Sequence, residues 1–236
     1  MNVTADQPFG PDSLATDTQH PARPITLTQA LQLPRIVIEN TTPVIDGGQF
    51  AAKAIVGQPV PVTSKVFADG HDKLAVKIRW RAADEVQWHT ASMRELVNDN
   101  WVGEFTPTSV KTHVFRLEAW IDQFGSYRYE LEKKFSAGVS IELELIEGRI
   151  HLEHAAERST GELQKQLHAT LGELEKAEAE EKVAVLLHSE TAALMNQADN
   201  QTFLSRSVEF PLDVERELAQ FASWYELFPR SITDSP

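Results

Sequence analysis

The repeat of apolar residues changes along this chain, and that change limits the folds it can adopt more than any other feature. Between residues 35 and 135 apolar and polar residues alternate, which is the pattern of strands that bury one face. After Gly138 the apolar residues recur at helical spacing, and from Val208 the alternation returns. We therefore predict a mainly β fold in which a helical hairpin or bundle is inserted into a β-sandwich.

The strand pattern is clearest at residues 74–81, where large apolar residues alternate with Ala, Lys or Arg. Turn-forming residues such as Asp46, Gly47 and Gly48 separate the segments at the short spacing of a sandwich or barrel. About seven strands result before the helices, which fits a sandwich, and one follows them. The predicted strands are residues 35–39, 59–67, 74–81, 86–91, 100–106, 112–122, 127–135 and 208–215.

The same pattern divides the chain into parts. Residues 1–34 lack sustained periodicity and are predicted to be a flexible leader. Residues 35–138 and 201–220 form the predicted sandwich, and residues 139–200 form the inserted helices, either two long ones or three shorter ones. The aromatic run within residues 221–236 is interpreted as the start of a further domain.

Composition excludes several classes of protein. The chain has no cysteine, which rules out disulfides, thiolate nucleophiles and zinc ribbons, and suits the reducing cytoplasm. No apolar run reaches the roughly 20 residues that span a bilayer, and residues 1–19 lack the regions of a signal peptide. We therefore expect a soluble cytoplasmic protein with no membrane partner.

Charge bears on the partners. The formal net charge is −13, which argues against nucleic acid, because a polyanion is held by Lys and Arg. Residues 141–200 carry 13 acidic and 5 basic side chains, a net charge of −8. A helix pair this thin cannot bury all its leucines, so part of its apolar face is expected to contact the sandwich or another chain.

Histidines on the predicted helices are candidate metal ligands. His151 and His154 lie three residues apart beside glutamates, a spacing that can present two ligands to one ion. A metal site needs three or four converging ligands, however, and a solvated helix face accounts for these histidines more simply. The same holds for His168 and His188, so we predict no metal ion and no cofactor.

Asp69, His71 and Asp72 resemble a fragment of a hydrolytic dyad. The segment lies between two predicted strands, where Asp and Gly are typical of a tight turn, and no serine with a suitable turn accompanies it. The 35 acidic residues offer no means of choosing a glycosidase pair. We therefore assign no catalytic residue.

Tryptophans are the remaining candidates for binding. Trp80, Trp88, Trp101 and Trp120 fall on predicted strands, and an exposed row of such rings can stack on sugars, although they are more often core residues. Trp80 continues an apolar face. Trp101 and Trp120 are therefore the two candidates for sugar stacking.

Three separated blocks resemble a known family. They are residues 35–50 (RIVIENTTPVIDGGQF), 66–72 (VFADGHD) and 224–231 (WYELFPRS). In this order they are similar to the N-terminal region of bacterial α-1,4-glucan:maltose-1-phosphate maltosyltransferases, in the α-amylase superfamily. The resemblance implies an immunoglobulin-like sandwich with a helical insertion, followed by a catalytic (β/α)₈ barrel. The third block is similar to the first barrel strand, so the chain is expected to be truncated before the barrel.

The resemblance also implies an activity and partners for the parent enzyme. The parent transfers maltosyl units from maltose 1-phosphate to an α-1,4-glucan, using an Asp nucleophile and a Glu acid/base on barrel strands. None of those positions is expected in this chain, so alone it should be inactive. Its implied partners are its own barrel and a second copy, because the family is dimeric near the helical insertion. Two alternatives stay open: a carbohydrate-binding module that holds α-glucan, and a free-standing protein whose helices bind another partner.

Overall fold

The computed structural model describes residues 26, 34–221 and 226. Ten strands in this part of the chain form two sheets. The strands are β1 (Ile36–Thr42), β2 (Ala52–Ile55), β3 (Val60–Ala68), β4 (Leu74–Ala82), β5 (His89–Ser92), β6 (Arg94–Glu95), β7 (Asn100–Phe105), β8 (Thr112–Ile121), β9 (Thr202–Arg206) and β10 (Phe210–Glu215).

The two sheets face each other across one hydrophobic core. The first sheet has the strand order β1-β3-β7-β6, and the second has the order β2-β10-β8-β4-β5, with β9 also paired to β8. Strand β2 lies parallel to β10, while β8 is antiparallel to β4, β9 and β10. Buried residues of both sheets form what we call the sandwich core, which includes Ile36, Val62, Val66, Val76, Ile78, Phe105, Phe115, Leu117, Phe210 and Leu212.

Strands β4 and β8 show why the alternating pattern predicted the sheet well. Ile78 lies opposite Leu117 in the antiparallel register, and both side chains are fully buried. Arg79 and Arg116, which are the sequence neighbours of Ile78 and Leu117, lie on the other face of the sheet. The prediction of a strand at 74–81 with one buried face is therefore confirmed.

The chain returns to the same sheet after the helices. Strand β9 pairs with the end of β8, with Arg206 opposite Glu118, and β10 pairs with its beginning, with Phe210 opposite Phe115. The predicted strand at 208–215 is confirmed as β10. The helices thus connect two strands that neighbour each other in one sheet. The division of the chain into domains stays a prediction.

The strand predicted at 127–135 is wrong, because these residues belong to helix α1 (Gln123–Ser136). The carboxylate of Asp122 caps this helix by accepting a hydrogen bond from the Gly125 amide at 2.7 Å. Phe124, Tyr127 and Leu131 are spaced by three and four residues and are buried on one helix face. The alternation of aromatic and charged residues therefore misled the strand prediction.

The helices are also more numerous than predicted. Four further ones follow in the described residues, so neither two long helices nor three shorter ones is correct, and helices and strands occupy similar lengths of chain rather than a mainly β proportion. They are α2 (Glu142–Arg158), α3 (Gly161–Lys176), α4 (Ala179–Leu187) and α5 (Ser189–Gln197). Their buried residues form the helical core with α1, which includes Phe124, Tyr127, Leu131, Leu152, Leu167, Leu171, Val183, Leu186 and Met195.

Trp120 connects the sheet to the end of the helices. It lies on the face of β8 opposite to the sandwich core and is only 1% exposed. Its indole Nε1 donates a hydrogen bond to Asp199 Oδ2 at 2.6 Å, just after α5. The ammonium of Lys77 lies 5.1 Å from the centre of the indole ring. Trp120 therefore joins the last helix to the outer face of the second sheet.

Candidate functional site

A polar cleft of about 520 Å³ lies between the turn after β3 and the helices α1 and α2. It brings together two motifs that the sequence singled out, because His71 and Asp72 line it from the turn and His151 lines it from α2. Tyr127 and Glu147 lie on the same wall as His151. The fold, rather than the sequence spacing, makes these residues neighbours.

His151 is half buried rather than solvated, which corrects the expectation from sequence. Its ring lies 5.2 Å from the ring of Tyr127, and its Nε2 is 3.7 Å from Glu147 Oε1. Burial lowers the pKa of His151 by more than the Glu147 carboxylate raises it. The Tyr127 hydroxyl donates to the backbone oxygen of Glu144 at 2.9 Å, and burial raises its pKa. Burial therefore favours the uncharged forms of both His151 and Tyr127 on this wall of the cleft.

The hydrolytic interpretation of the turn fails on hydrogen bonding. Ser126 lines the same cleft as His71 and Asp72. Its hydroxyl donates to the backbone oxygen of Asp122 at 2.8 Å and accepts from the Lys73 amide at 2.7 Å. The hydroxyl thus attaches the turn to the start of α1. Asp69 accepts a hydrogen bond from Arg35 on the other side of the turn.

The other candidate histidines lie apart from the cleft. His154 and His168 are exposed, and His188 caps α5, where its ring accepts a hydrogen bond from the Glu190 amide at 3.4 Å. In residues 34–221, no group of three or more His, Asp or Glu side chains is arranged to hold a metal ion. His151 and His154 point to different surroundings despite their helical spacing.

Both candidates for sugar stacking are buried. Trp101 is 5% exposed, belongs to the sandwich core and donates its indole N–H to the Val66 oxygen at 3.1 Å. Trp120 is only 1% exposed on the outer face of the second sheet, so neither ring offers a face to a sugar. Trp80 packs against Phe105 with ring centres 5.0 Å apart.

An apolar stripe on α2 is the most exposed hydrophobic surface of the helices. Leu143, Ile146 and Ile150 are 71%, 52% and 39% exposed, at positions i, i+3 and i+7 of one helix face. We call these three residues the α2 stripe. Sequence reasoning missed Leu143 and Ile146, although their spacing with Ile150 was a visible signal.

The sequence from residue 34 to residue 216 matches the family model described as α-1,4-glucan:maltose-1-phosphate maltosyltransferase, domain N/S. The chain belongs to this maltosyltransferase N/S-domain family. The match confirms the family resemblance seen in the sequence. Two of the three blocks that carry this resemblance, residues 35–50 and 66–72, lie inside the match. The third block, at 224–231, lies outside the described residues except for Glu226.

Named maltosyltransferases are similar to this N/S domain over most of its length. The one from Pseudomonas aeruginosa is 37% identical over 211 residues, which is 89% of this chain and 32% of that protein. The one from Burkholderia pseudomallei is 37% identical over 91% of this chain and 19% of that protein. The one from Myxococcus xanthus is 36% identical over 85% of this chain and 31% of that protein. The chain thus spans about a third or less of the curated relatives that it matches.

The predicted leader at residues 1–34 and the start of the barrel at 221–236 fall almost wholly outside the described residues, so both stay predictions. Within residues 34–221 of the N/S domain, every helix is too short or too polar to cross a membrane.

Proposed function

We propose that this chain is the non-catalytic N-terminal part of an enzyme that extends α-1,4-glucan with maltosyl units from maltose 1-phosphate. In that transfer the bond between the maltosyl C1 and the phosphate oxygen breaks, and C1 bonds to the 4-hydroxyl oxygen at the non-reducing end of the glucan. The hydroxyl proton is lost and inorganic phosphate is released. The catalytic groups belong to a barrel domain outside this chain. The relatives are long enough to contain such a domain in addition to the matched segment.

The family match over residues 34–216 carries this proposal. The named relatives from Pseudomonas aeruginosa and Myxococcus xanthus are maltosyltransferases three or more times longer than the matched segment. The two-sheet core with helices between β8 and β9 supports an immunoglobulin-like sandwich carrying an insertion. In this proposal the sandwich gives structural support to the barrel. The enzyme acts in the cytoplasm, which suits a chain without cysteine because disulfides are rare in that compartment.

The helices provide contacts to a second copy in this proposal. A stripe of Leu143, Ile146 and Ile150 at helical spacing suits self-association, because a two-fold dimer places the same patch of both copies against each other. Apolar residues at the centre of such a patch stabilise the dimer because their surface is removed from contact with water. The net charge of −8 on residues 141–200 keeps the rest of the helical surface polar.

Two assays test the proposal. This chain alone should release no phosphate from maltose 1-phosphate and a maltooligosaccharide, and measurable release would contradict the non-catalytic role. Light scattering over a concentration series should give the mass of a dimer, and Leu143→Asp with Ile146→Asp should give a monomer. Val86→Asp is the matched control, since Val86 is a 93% exposed apolar residue of the sandwich region and its change should leave the dimer intact.

A carbohydrate-binding module is the second candidate, and the cleft between the turn and α1 favours it. Its volume is within the range of small-ligand sites, and Asp72, Gln123 and Glu130 line it with groups that pair with sugar hydroxyls. Glycogen in an affinity gel should then retard the protein, and Gln123→Ala should reduce the retardation. Unchanged mobility of the unaltered protein would exclude this candidate.

A further inference from the structure

Four arginines cluster on the face of the second sheet that points away from the sandwich core. Arg79 and Arg81 come from β4, Arg116 comes from β8, and Arg206 ends β9. We call them the outer arginine face. Their side chains are 20–54% exposed, so solvent reaches the cluster. A concentration of cations is unexpected in a chain whose net charge is −13.

Two of these arginines lie directly opposite each other in the strand register. Arg79 pairs with Arg116 across β4 and β8, and directly opposed side chains on one sheet face lie about 5 Å apart at Cβ. Like charges at such positions destabilise a sheet. The arrangement therefore has a cost in stability that an anion between the two guanidinium groups relieves.

Glu118 relieves part of that cost. It lies opposite Arg206 in the register, is 7% exposed, and its Oε1 accepts from Arg116 Nη2 at 2.7 Å and Arg206 Nε at 3.1 Å. Arg79 Nε lies 3.7 Å from Glu118 Oε2. Burial acts to raise the pKa of Glu118, but these hydrogen bonds and charges hold it below its ordinary value. Glu118 is therefore a fixed anion at the centre of the network.

The ion pairs leave the cluster with surplus positive charge. Glu209 is the second carboxylate, at 3.5 Å from Arg116 and 3.8 Å from Arg81. Four guanidinium groups and two carboxylates give 4 − 2 = +2 within this network. The Nε atoms of Arg79 and Arg81 are shielded from solvent and have no hydrogen-bond partner among the described residues. Positive charge is therefore in excess at the cluster.

Trp88 holds two of the guanidinium groups in place. The Cζ atoms of Arg81 and Arg116 lie 4.8 and 4.4 Å from the centre of its ring. Such contacts orient the planar groups and reduce the entropy that is lost when they bind a ligand. Arg81 also donates to the backbone oxygens of Ala83 and Glu85 in the loop that carries Trp88. The cluster is thus ordered before any ligand arrives.

We propose that the outer arginine face binds a phosphate group, either as inorganic phosphate or as a phosphate monoester of a sugar. Guanidinium forks match phosphate oxygens in pairs, and a phosphate that carries about two negative charges near pH 7 neutralises the whole surplus. A single carboxylate supplies only half of that charge. This inference does not depend on the proposed function, because it rests on the charges and register of the sheet alone.

Thermal unfolding of the whole chain tests the site. Inorganic phosphate at about ten times its Kd should raise the midpoint by about 3–6 °C over chloride at equal ionic strength. Arg79→Gln should abolish this rise without lowering the midpoint in chloride, because it also removes the opposed pair of cations. Arg206→Gln, at an exposed position, is the second variant and should reduce the rise. The absence of a rise in the unaltered protein would overturn the proposal.

Controls separate the site from general charge effects and identify the source of the phosphate. Arg149→Gln removes an exposed arginine of α2 that pairs with Glu153, so this variant should keep the full response. A rise that survives both Arg79→Gln and Arg206→Gln would also overturn the proposal. Glucose 1-phosphate titrated in parallel distinguishes the ligands: tighter binding than inorganic phosphate assigns the site to a sugar phosphate, and equal binding assigns it to phosphate itself.

Discussion

The sandwich core and the helical core differ in how far apart their members lie in the sequence. Ile36 in β1 and Val214 in β10 both belong to the sandwich core, which therefore needs both ends of the described segment. The helical core is drawn from one continuous stretch between Phe124 and Met195. Closing a core across a long stretch of chain costs more entropy and folds more slowly than local packing. The helical region is thus the more self-sufficient of the two.

Truncating the centre of each core gives the largest expected effects. Phe115 is fully buried between the rings of Phe105 and Phe210, so Phe115→Ala should lower the free energy of unfolding by about 3–5 kcal/mol. Leu152→Ala, in the helical core, should lower it by about 2–5 kcal/mol. Denaturant titrations with tryptophan fluorescence and far-ultraviolet circular dichroism measure both.

The two probes separate the regions. Phe115→Ala should shift the fluorescence transition more than the helical dichroism transition, and Leu152→Ala should do the reverse. If both substitutions shift both transitions equally, the chain unfolds as one cooperative unit. The distinction between a local and a long-range core would then have no thermodynamic meaning.

Trp120→Phe examines the connection between the regions. The change removes the hydrogen bond from Nε1 to the Asp199 carboxylate, and bonds to charged groups contribute about 1.5–3 kcal/mol. The ring volume largely remains, so the loss should come mainly from the bond. We expect the two transitions, followed by dichroism and by the remaining tryptophans, to move further apart. Trp101→Phe, with a bond to a backbone oxygen inside the sandwich core, is the matched control and should not separate them.

Gly148→Ala examines how tightly the helical core is packed. A Cβ at Gly148 would lie 2.2 Å from the Tyr127 hydroxyl oxygen and 2.9 Å from Leu186, so overpacking should cost about 1–3 kcal/mol. Gly172→Ala is the control: nothing lies within 4 Å of its Cβ position on α3, so helix propensity should stabilise the protein by about 0.5–1 kcal/mol. Urea midpoints that fall for both variants would contradict the assignment of Gly148 to a close helix contact.

Particular residues show what the sequence could and could not predict. The alternation at β4 and β8 predicted the faces of both strands, because one-sided burial imposes a period of two. At 127–135 the same alternation was accidental, and the decisive signal was the spacing of Phe124, Tyr127 and Leu131. Short strands such as β6, with two residues, carry no periodicity at all.

The candidate sites were harder to predict than the strands, because they depend on pairing between distant segments. The sequence singles out His71 and Asp72 separately from His151, and only packing of the turn against α1 and α2 places these three residues in one cleft. The opposition of Arg79 and Arg116 follows from a register that spacing alone does not determine. Trp101 and Trp120 look alike in the sequence as strand tryptophans, yet Trp101 lies in the sandwich core and Trp120 lies on the opposite face of its sheet, where it donates to Asp199.

His151→Phe gives the smallest expected effect and concerns acid sensitivity. Burial lowers the pKa of native His151 from its ordinary 6.5, so as the pH falls below that value the unfolded chain takes up a proton that the native state does not. Stability should therefore be lost on acidification, and the loss should be smaller in His151→Phe, whose ring suits the contact with Tyr127. Urea midpoints at pH 7 and pH 5, followed by helical dichroism, measure the difference.

His154→Phe is the control for this change, since His154 lies one turn away on the exposed face of the same helix. An acid response equal to that of the unaltered protein is expected for it. If His151→Phe also leaves the response unchanged, the half-buried histidine is not what makes the helical core sensitive to acid. A reduced response seen by helical dichroism but not by tryptophan fluorescence would instead locate the sensitivity in the helical region, and so separate the two cores by pH as well as by sequence distance.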